Sequence, residues 1–281
     1  MENKKQVRQY WDNVARDTQL VNTSLVGMLA DYNLYNAIYR DGVEKTRFSE
    51  LVKLKSDMHV VEIGCGGGRW LIWLASKVNF VHGTDVSEEM IALSSENCAK
   101  NACENVSISA GTLPSAEVLA KADLVYLSGV CMYMTDVELH NLMNELYEQC
   151  KIDVTIISRD TLIEEGQIEL FEPYRVIYRN LESFKKFFTS NNWKICDVKN
   201  AYESRAFSGA MGRIFSYSKL PYAYVSLLHS LIIFFDKASG IIGITKYIYR
   251  KVSRKKYDES QTEKLQKFIL AKKNDARKRK K

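Results

Sequence analysis

Val60-Val61-Glu62-Ile63-Gly64-Cys65-Gly66-Gly67-Gly68-Arg69-Trp70 reads as a short buried strand, a glycine turn and the first turn of a helix. Four glycines within five positions let the main chain turn sharply and let a ligand lie against bare backbone. The helix that follows offers unpaired N–H groups and the positive end of its dipole, which suit a carboxylate or a phosphate. Dinucleotide folds put a glycine at the sixth position of G-x-G-x-x-G, where it permits close helix–strand packing. Arg69 stands at that position here, so the pattern present is Glu62-x-Gly64-x-Gly66-x-Gly68.

Working outward, Phe80–Thr84 reads as a second strand that ends at Asp85, and Val86-Ser87-Glu88-Glu89-Met90 opens the next helix. Further strands are expected at 106–109, 124–127 and 154–158, with helices at 70–77, 88–101 and 136–149 between them. A late tyrosine–arginine strand, an aromatic helix and a final strand at 194–198 follow. Strands alternating with helices imply an α/β fold, a Rossmann-like, doubly wound and mainly parallel sheet. Ligands of such sheets bind beyond the carboxyl ends of the strands.

The acidic-x-Gly-x-Gly-x-Gly loop, the acidic strand end and the Gly83-x-Asp85-x-Ser87-x-x-Met90 run together resemble the class I S-adenosylmethionine (SAM) methyltransferases. The resemblance spans roughly residues 5–204. It implies SAM as cofactor, held by Glu62, Gly64, Cys65, Gly66, Gly68, Arg69, Asp85, Val86 and Met90. Asp85 would take the ribose hydroxyls. Ser128 and Gly129, after the fourth strand, would lie close to the cofactor. The adenine-binding Asp that often precedes Leu-Pro in that family is absent from Ser109-Ala110-Gly111-Thr112-Leu113-Pro114, which leaves main chain or Ser109 for that contact. Tyr10 and Trp11, in N-terminal cap helices expected over residues 5–40, either reach the acceptor or pack the cap onto the domain. Tyr133, Arg159, Arg175 and Tyr178 are candidate acceptor-binding residues. Asp160, just past the fifth strand, is the candidate base for an alcohol acceptor, or else an ordinary turn residue. His140 reads as structural. Gly68-Arg69-Trp70 and the late tyrosine–arginine segment resemble bacterial methyltransferases of surface-polysaccharide (O-antigen) biosynthesis. That likeness implies methylation of a sugar hydroxyl or phosphate on a lipid-linked glycan.

Composition is that of a folded protein, 46% hydrophobic and 26% charged. Six cysteines include no C-x-x-C pair, so reduced, mostly buried thiols and no metal site are expected. The first residues lack an apolar run, so no secretory signal is expected. The charge is uneven. Residues 246–281 carry fifteen Lys/Arg and four Asp/Glu, a net +11, which leaves −5 for the rest of a chain whose total is +6. A basic tail of this kind suits an anionic membrane surface, with a nucleic acid as the weaker reading. Tyr222–Phe235 is mostly apolar but shorter than the ~20 residues that span a bilayer. The expected organisation is therefore N-terminal cap helices at 1–43, a SAM-binding domain at 44–204 and a helical, amphipathic, basic extension at 205–281. A cytoplasmic protein, peripheral on the inner membrane face, is expected.

Overall fold

The structure, a computed structural model, describes residues 2–17, 24–25, 27, 34–201 and 264–274. Helix α1 (Glu2–Arg16) and helix α2 (Leu34–Leu51) precede the first strand, β1 (His59–Ile63). Then α3 (Arg69–Ala75), β2 (Phe80–Asp85), α4 (Glu88–Lys100), β3 (Val106–Ala110), α5 (Ala116–Lys121) and β4 (Leu124–Ser128) alternate. They are followed by a short 3-10 turn (Cys131–Tyr133), α6 (Asp136–Gln149) and β5 (Thr155–Ile163). The hairpin β6 (Gln167–Leu170) and β7 (Val176–Asn180) leads to α7 (Leu181–Ser190) and β8 (Trp193–Asn200). The last described element is β9 (Lys264–Lys273).

The strands β3-β2-β1-β4-β5 lie side by side and parallel. Helices cover both faces, so the central strands are apolar throughout: Leu124, Val125, Tyr126 and Leu127 are all fully buried. Their alternation divides the core. Val61, Ile63, Val125, Leu127 and Ile156 pack with Leu139, Met143 and Leu146 of α6 and Phe184 and Phe188 of α7. Val60, Val81, Tyr126 and Ile157 pack with Phe48 of α2 and Trp70, Leu71 and Leu74 of α3. Each such side chain contributes about 1.5–3 kcal/mol by leaving water. Helix starts are fixed by side-chain caps. The Thr135 hydroxyl and the Glu138 carboxylate form a reciprocal capping box at α6, and Ser87 Oγ accepts from Met90 N at 3.1 Å at α4.

Strand β9 departs from the expected layout. Leu265, Phe268 and Ile269 stand at helical spacing, and the whole stretch after residue 204 reads as a helical extension. Lys264–Lys273 is instead a strand, antiparallel to β5 along its full length on one edge and to β8 on the other. Both faces of the inserted strand are covered, Phe268 falling in one core cluster and Ile269 in the other, and both are fully buried. A run of four apolar residues has no periodicity that separates such a strand from a buried helix. Four of the tail's fifteen cations therefore sit on the sheet, where Lys267 Nζ donates to Asn200 Oδ1 at 2.7 Å and Lys273 Nζ to the Cys150 carbonyl. The apolar run 222–235 and the basic end 277–281 lie outside the described residues. Among those described, no helix is long and apolar enough to cross a membrane.

Candidate active site

A cavity of about 240 Å³ opens at the carboxyl ends of β1, β2, β4 and β5. Its floor is the glycine loop. The N–H groups of Gly64 and Cys65 both donate to the Thr84 carbonyl, which clamps the loop against β2. Gly64, at φ +82°, could not carry a side chain, because Val130 occupies the space. Gly66, at φ +50°, differs: a Cβ there would meet nothing within 4 Å, since it faces the open cavity. Gly68 does not line the cavity. It lets α3 approach α4, with Ser94 Cβ 3.2 Å from where its own Cβ would lie.

Asp85 lines the cavity, and one carboxylate oxygen accepts from Gly66 N at 2.9 Å while the other accepts from Ser87 N at 3.0 Å. Each oxygen keeps a lone pair for a ligand hydroxyl. Burial nevertheless raises its pKa against these backbone bonds. Glu62 is 1% exposed, and its Oε2 has no hydrogen-bond partner. Desolvation lifts its pKa to about 8, against the opposing charge of Arg69 and a bond with Ser128, so the carboxyl is mainly protonated at neutral pH. Arg69 also borders the cavity, but its guanidinium is committed to α2, to Asp41 at 2.6 Å and Glu44 at 2.6 Å.

Helix α1 forms the roof. Asp12 accepts from Ser87 Oγ at 2.6 Å, and Arg8 and Arg16 reach Glu88 at 2.8 Å and Glu89 at 2.7 Å. At its other end Asn3 Oδ1 accepts from Arg175 N at 2.9 Å and Lys4 lies 3.3 Å from Glu138. Val7 and Trp11 face the cavity. Tyr10 turns instead to Tyr174, with ring centroids 4.6 Å apart, so of the two aromatics only Trp11 reaches the site.

Beyond β4 the walls are Ser128, Gly129, Met132 and Tyr133, then Arg159 and Thr161 from β5 and Gln266 from β9. Arg159 Nη2 donates to Gln266 Oε1 at 3.2 Å, and Gln266 Nε2 donates to Thr161 Oγ1 at 3.3 Å. Asp160 is not on this wall. Strand β5 runs to Ile163, five residues past the expected end, so Asp160 sits within it and points to the opposite face from Arg159 and Thr161. There it is 3% exposed, accepts from Ser158 Oγ at 2.7 Å and lies against Cys131; desolvation raises its pKa to about 6. Its Oδ1 is buried without a hydrogen-bond partner, and it does not line the cavity. Arg175 pairs with Glu169 inside the hairpin, and neither it nor Tyr178 lines the cavity. Ser109 is bonded to His82 at 3.0 Å on the sheet, and Gly111 and Thr112 line the cavity in its place. His140 is exposed and bonded to Asn191, away from the cavity. Gln266 carries no local signal that sequence reasoning could have used. Among the described residues there is no His/Cys/Asp/Glu cluster suited to a metal.

Residues 60–153 match a family model described as a methyltransferase domain. This segment is a methyltransferase domain. A search of the curated proteins finds no significant match. Solved structures of similar fold include the 4+2 cyclase SpnF, 12% identical with a TM-score of 0.56, over 83% of this chain and 81% of that one. A SAM-dependent methyltransferase from Mesorhizobium loti is 13% identical with a TM-score of 0.53, over 82% and 98%. Phosphoethanolamine N-methyltransferase 2 of Haemonchus contortus, in complex with phosphomonomethylethanolamine and S-adenosylhomocysteine, is 17% identical with a TM-score of 0.54, over 82% and 52%. At these identities the likeness concerns the fold, and a cyclase beside two methyltransferases shows how loosely fold constrains reaction.

The cofactor of the methyltransferase domain is SAM. The cavity fits it on two observations: the space beside Gly66 admits a ligand against bare backbone, and the unpartnered Glu62 Oε2 awaits a donor or a cation. Asp85 would hold the ribose hydroxyls, Gly111 and Thr112 would border the adenine, and Ser128 and Gly129 would flank the methyl-bearing end. Bound there, SAM supplies a sulfonium whose methyl carbon is electrophilic.

Proposed function

We propose that this SAM-dependent methyltransferase acts on oxygen, methylating a sugar hydroxyl or a phosphate of a lipid-linked surface glycan such as O-antigen, and so ending chain growth. The observation that supports it is one continuous cavity. Its first half, at Asp85 and the glycine loop, suits the cofactor, and its second half offers guanidinium, amide and hydroxyl groups to a polar acceptor. The chain's part in such a reaction is alignment. Backbone and Asp85 fix one reactant, and the wall from β4, β5 and β9 fixes the other, so that attack is in line. Bound SAM would supply the methyl and leave as the neutral thioether; a phosphate oxygen would attack as the anion, and a hydroxyl would first give up its proton to solvent. Helix α1 keeps bulk water off. A membrane-borne acceptor is supported by the basic stretch 246–281 and by the sequence resemblance. Near an anionic leaflet a Lys or Arg contributes about 1 kcal/mol.

The second reading is a free small-molecule acceptor, favoured by the enclosure beneath Val7 and Trp11. Incubating the full chain with radiolabelled SAM and separate lipid-linked glycans, free phosphosugars, amines and nucleic acids tests both. Label on the oxygen of lipid-linked glycan is the expected result. Label on free phosphosugar alone moves the function to the second reading, and label on nitrogen or nucleic acid overturns both.

A further inference from the structure

Behind the cavity wall lies a charge cluster, buried at Glu44 and part-exposed at Asp41 and Lys45, whose described members are out of balance. Arg69 Nη1 and Lys45 Nζ both hold Asp41, each at 2.6 Å. Arg69 Nη2 holds Glu44 Oε2 at 2.6 Å, and Arg159 Nε lies 3.1 Å from the other Glu44 oxygen without the alignment of a hydrogen bond. Among the described residues, these three cations, with Arg40 also acting on Glu44, thus face two carboxylates. Burial works to raise the Glu44 pKa, but the charges of Arg159, Arg69 and Arg40 outweigh it and keep the carboxylate ionised. Glu62, the acid next to this group, is mainly protonated and does not restore the balance. A surplus buried charge is costly unless a partner arrives to neutralise it. The only cation of the three that meets the cavity beyond β4 is Arg159. Its side chain is 11% exposed, and its Nη1 lies 2.8 Å from where a Cβ of residue 129 would be.

We propose that Arg159, oriented by Gln266, is an oxyanion subsite for the acceptor, and that the acceptor carries a phosphate there. The inference rests on the methyltransferase reading above and narrows its choice between hydroxyl and phosphate. A guanidinium presents paired N–H donors that match two phosphate oxygens. The sheet order separates this subsite from the cofactor's. Asp85 and the glycine loop belong to β2 and β1, whereas Arg159 and Gln266 belong to β5 and β9, on the far side of β4. A phosphate oxygen is already anionic and needs no proton removed before attack.

The same charge could be met by the carboxylate of SAM, and the experiment separates the two sources. Inorganic phosphate is titrated by calorimetry into the full chain saturated with S-adenosylhomocysteine, whose carboxylate is then already in place. Saturable phosphate binding is expected. Gln266→Glu sets a carboxylate 3.2 Å from Arg159 at nearly unchanged size, and should weaken phosphate at least tenfold while leaving S-adenosylhomocysteine within twofold. Arg159→Gln should do the same, and Arg159→Lys should recover part of the loss. No phosphate binding to the S-adenosylhomocysteine complex, or a Gln266→Glu protein that keeps full phosphate affinity, overturns the subsite. Equal loss of S-adenosylhomocysteine and phosphate in Arg159→Gln assigns the charge to the cofactor's carboxylate and also overturns it. If S-adenosylhomocysteine itself fails to bind, the methyltransferase reading falls and takes the subsite with it.

Discussion

The two ends of the cavity are built by different means. At the cofactor end most contacts come from one stretch, residues 62–90, joined by Gly111, Thr112, Ser128 and Gly129, and part of the surface is main chain: an open Gly66 beside one carboxylate locked by two backbone bonds. At the acceptor end they come from β4, β5, β9 and the roof helix, and the surface is side chain. Backbone recognition is set by chain geometry and survives wide change in sequence. Side-chain recognition gathered from distant segments depends on the whole sheet closing correctly, and it can change one residue at a time. The first end therefore tells which cofactor is used, and the second tells what is methylated.

Removing β9 is the most severe way to break the contrast. A chain stopped at residue 263 leaves β5 and β8 with open edges and strips Phe268 and Ile269 from the two core clusters. Both ends should fail together, seen as lost near-ultraviolet circular dichroism and no cooperative melt. If instead that chain folds and binds SAM, the two ends are separable and β9 serves the acceptor side alone.

A smaller change should break one end only. Gly66→Leu fills the space against which the cofactor lies. The left-handed conformation costs roughly 1–2 kcal/mol for a residue with a side chain, so the protein should still fold. SAM affinity, read by calorimetry, should fall more than a hundredfold. Phosphate binding without cofactor should be little altered.

The titration of Glu62 sharpens the comparison further. Its pKa in the folded protein is about 8, above the unfolded value, so the native state holds the extra proton between them. That contribution is complete below about pH 4.5 and is lost as pH rises to about 8. Stability of the free protein should decline across that window by on the order of a few kcal/mol, and Glu62→Gln should flatten the decline. SAM is cationic and favours ionised Glu62, so its affinity should rise over the same window in the native protein and not in Glu62→Gln. A flat melting temperature from pH 5 to 8 in the native protein would remove Glu62 from the cofactor end.

The smallest effect is expected at Asp160. Because it faces away from the cavity, Asp160→Asn should keep turnover within a few-fold at pH 7.5. A loss of a hundredfold or more, with SAM binding intact, would return it to the acceptor end.

What the sequence disclosed follows the same division. The glycine loop, Asp85 and the start of α4 are local patterns, and a local pattern survives being read in one dimension. The limits of α6 match those expected, and in the structure Thr135 and Glu138 cap its start. Asp160 was misplaced because Ser158-Arg159-Asp160-Thr161 has the polarity of a loop. In the sheet those residues alternate between a cavity and a core lined with Ser158 and Cys131, so polarity did not mark the strand's end. Gln266 was invisible, since nothing in Lys264-Leu265-Gln266-Lys267 indicates that it returns to Thr161. Arg69 was read toward the cofactor, yet its partners Asp41 and Glu44 lie in a helix that no local signal joins to it.

The position of β9 has a consequence in time. Strand β8 ends at Asn200 and β9 at Lys273, and Ala201 N already bonds the Gln266 carbonyl at 2.8 Å, so two segments far apart in sequence meet at one spot. At roughly 5–20 residues per second, a ribosome takes ~4–15 s to travel from one to the other. Through that interval the nascent domain has every described strand but the one that lies between β5 and β8, and the two edges that will receive it stand open. The sheet must wait for β9, and its vulnerable period is set by the speed of translation as much as by the energetics of the finished sheet.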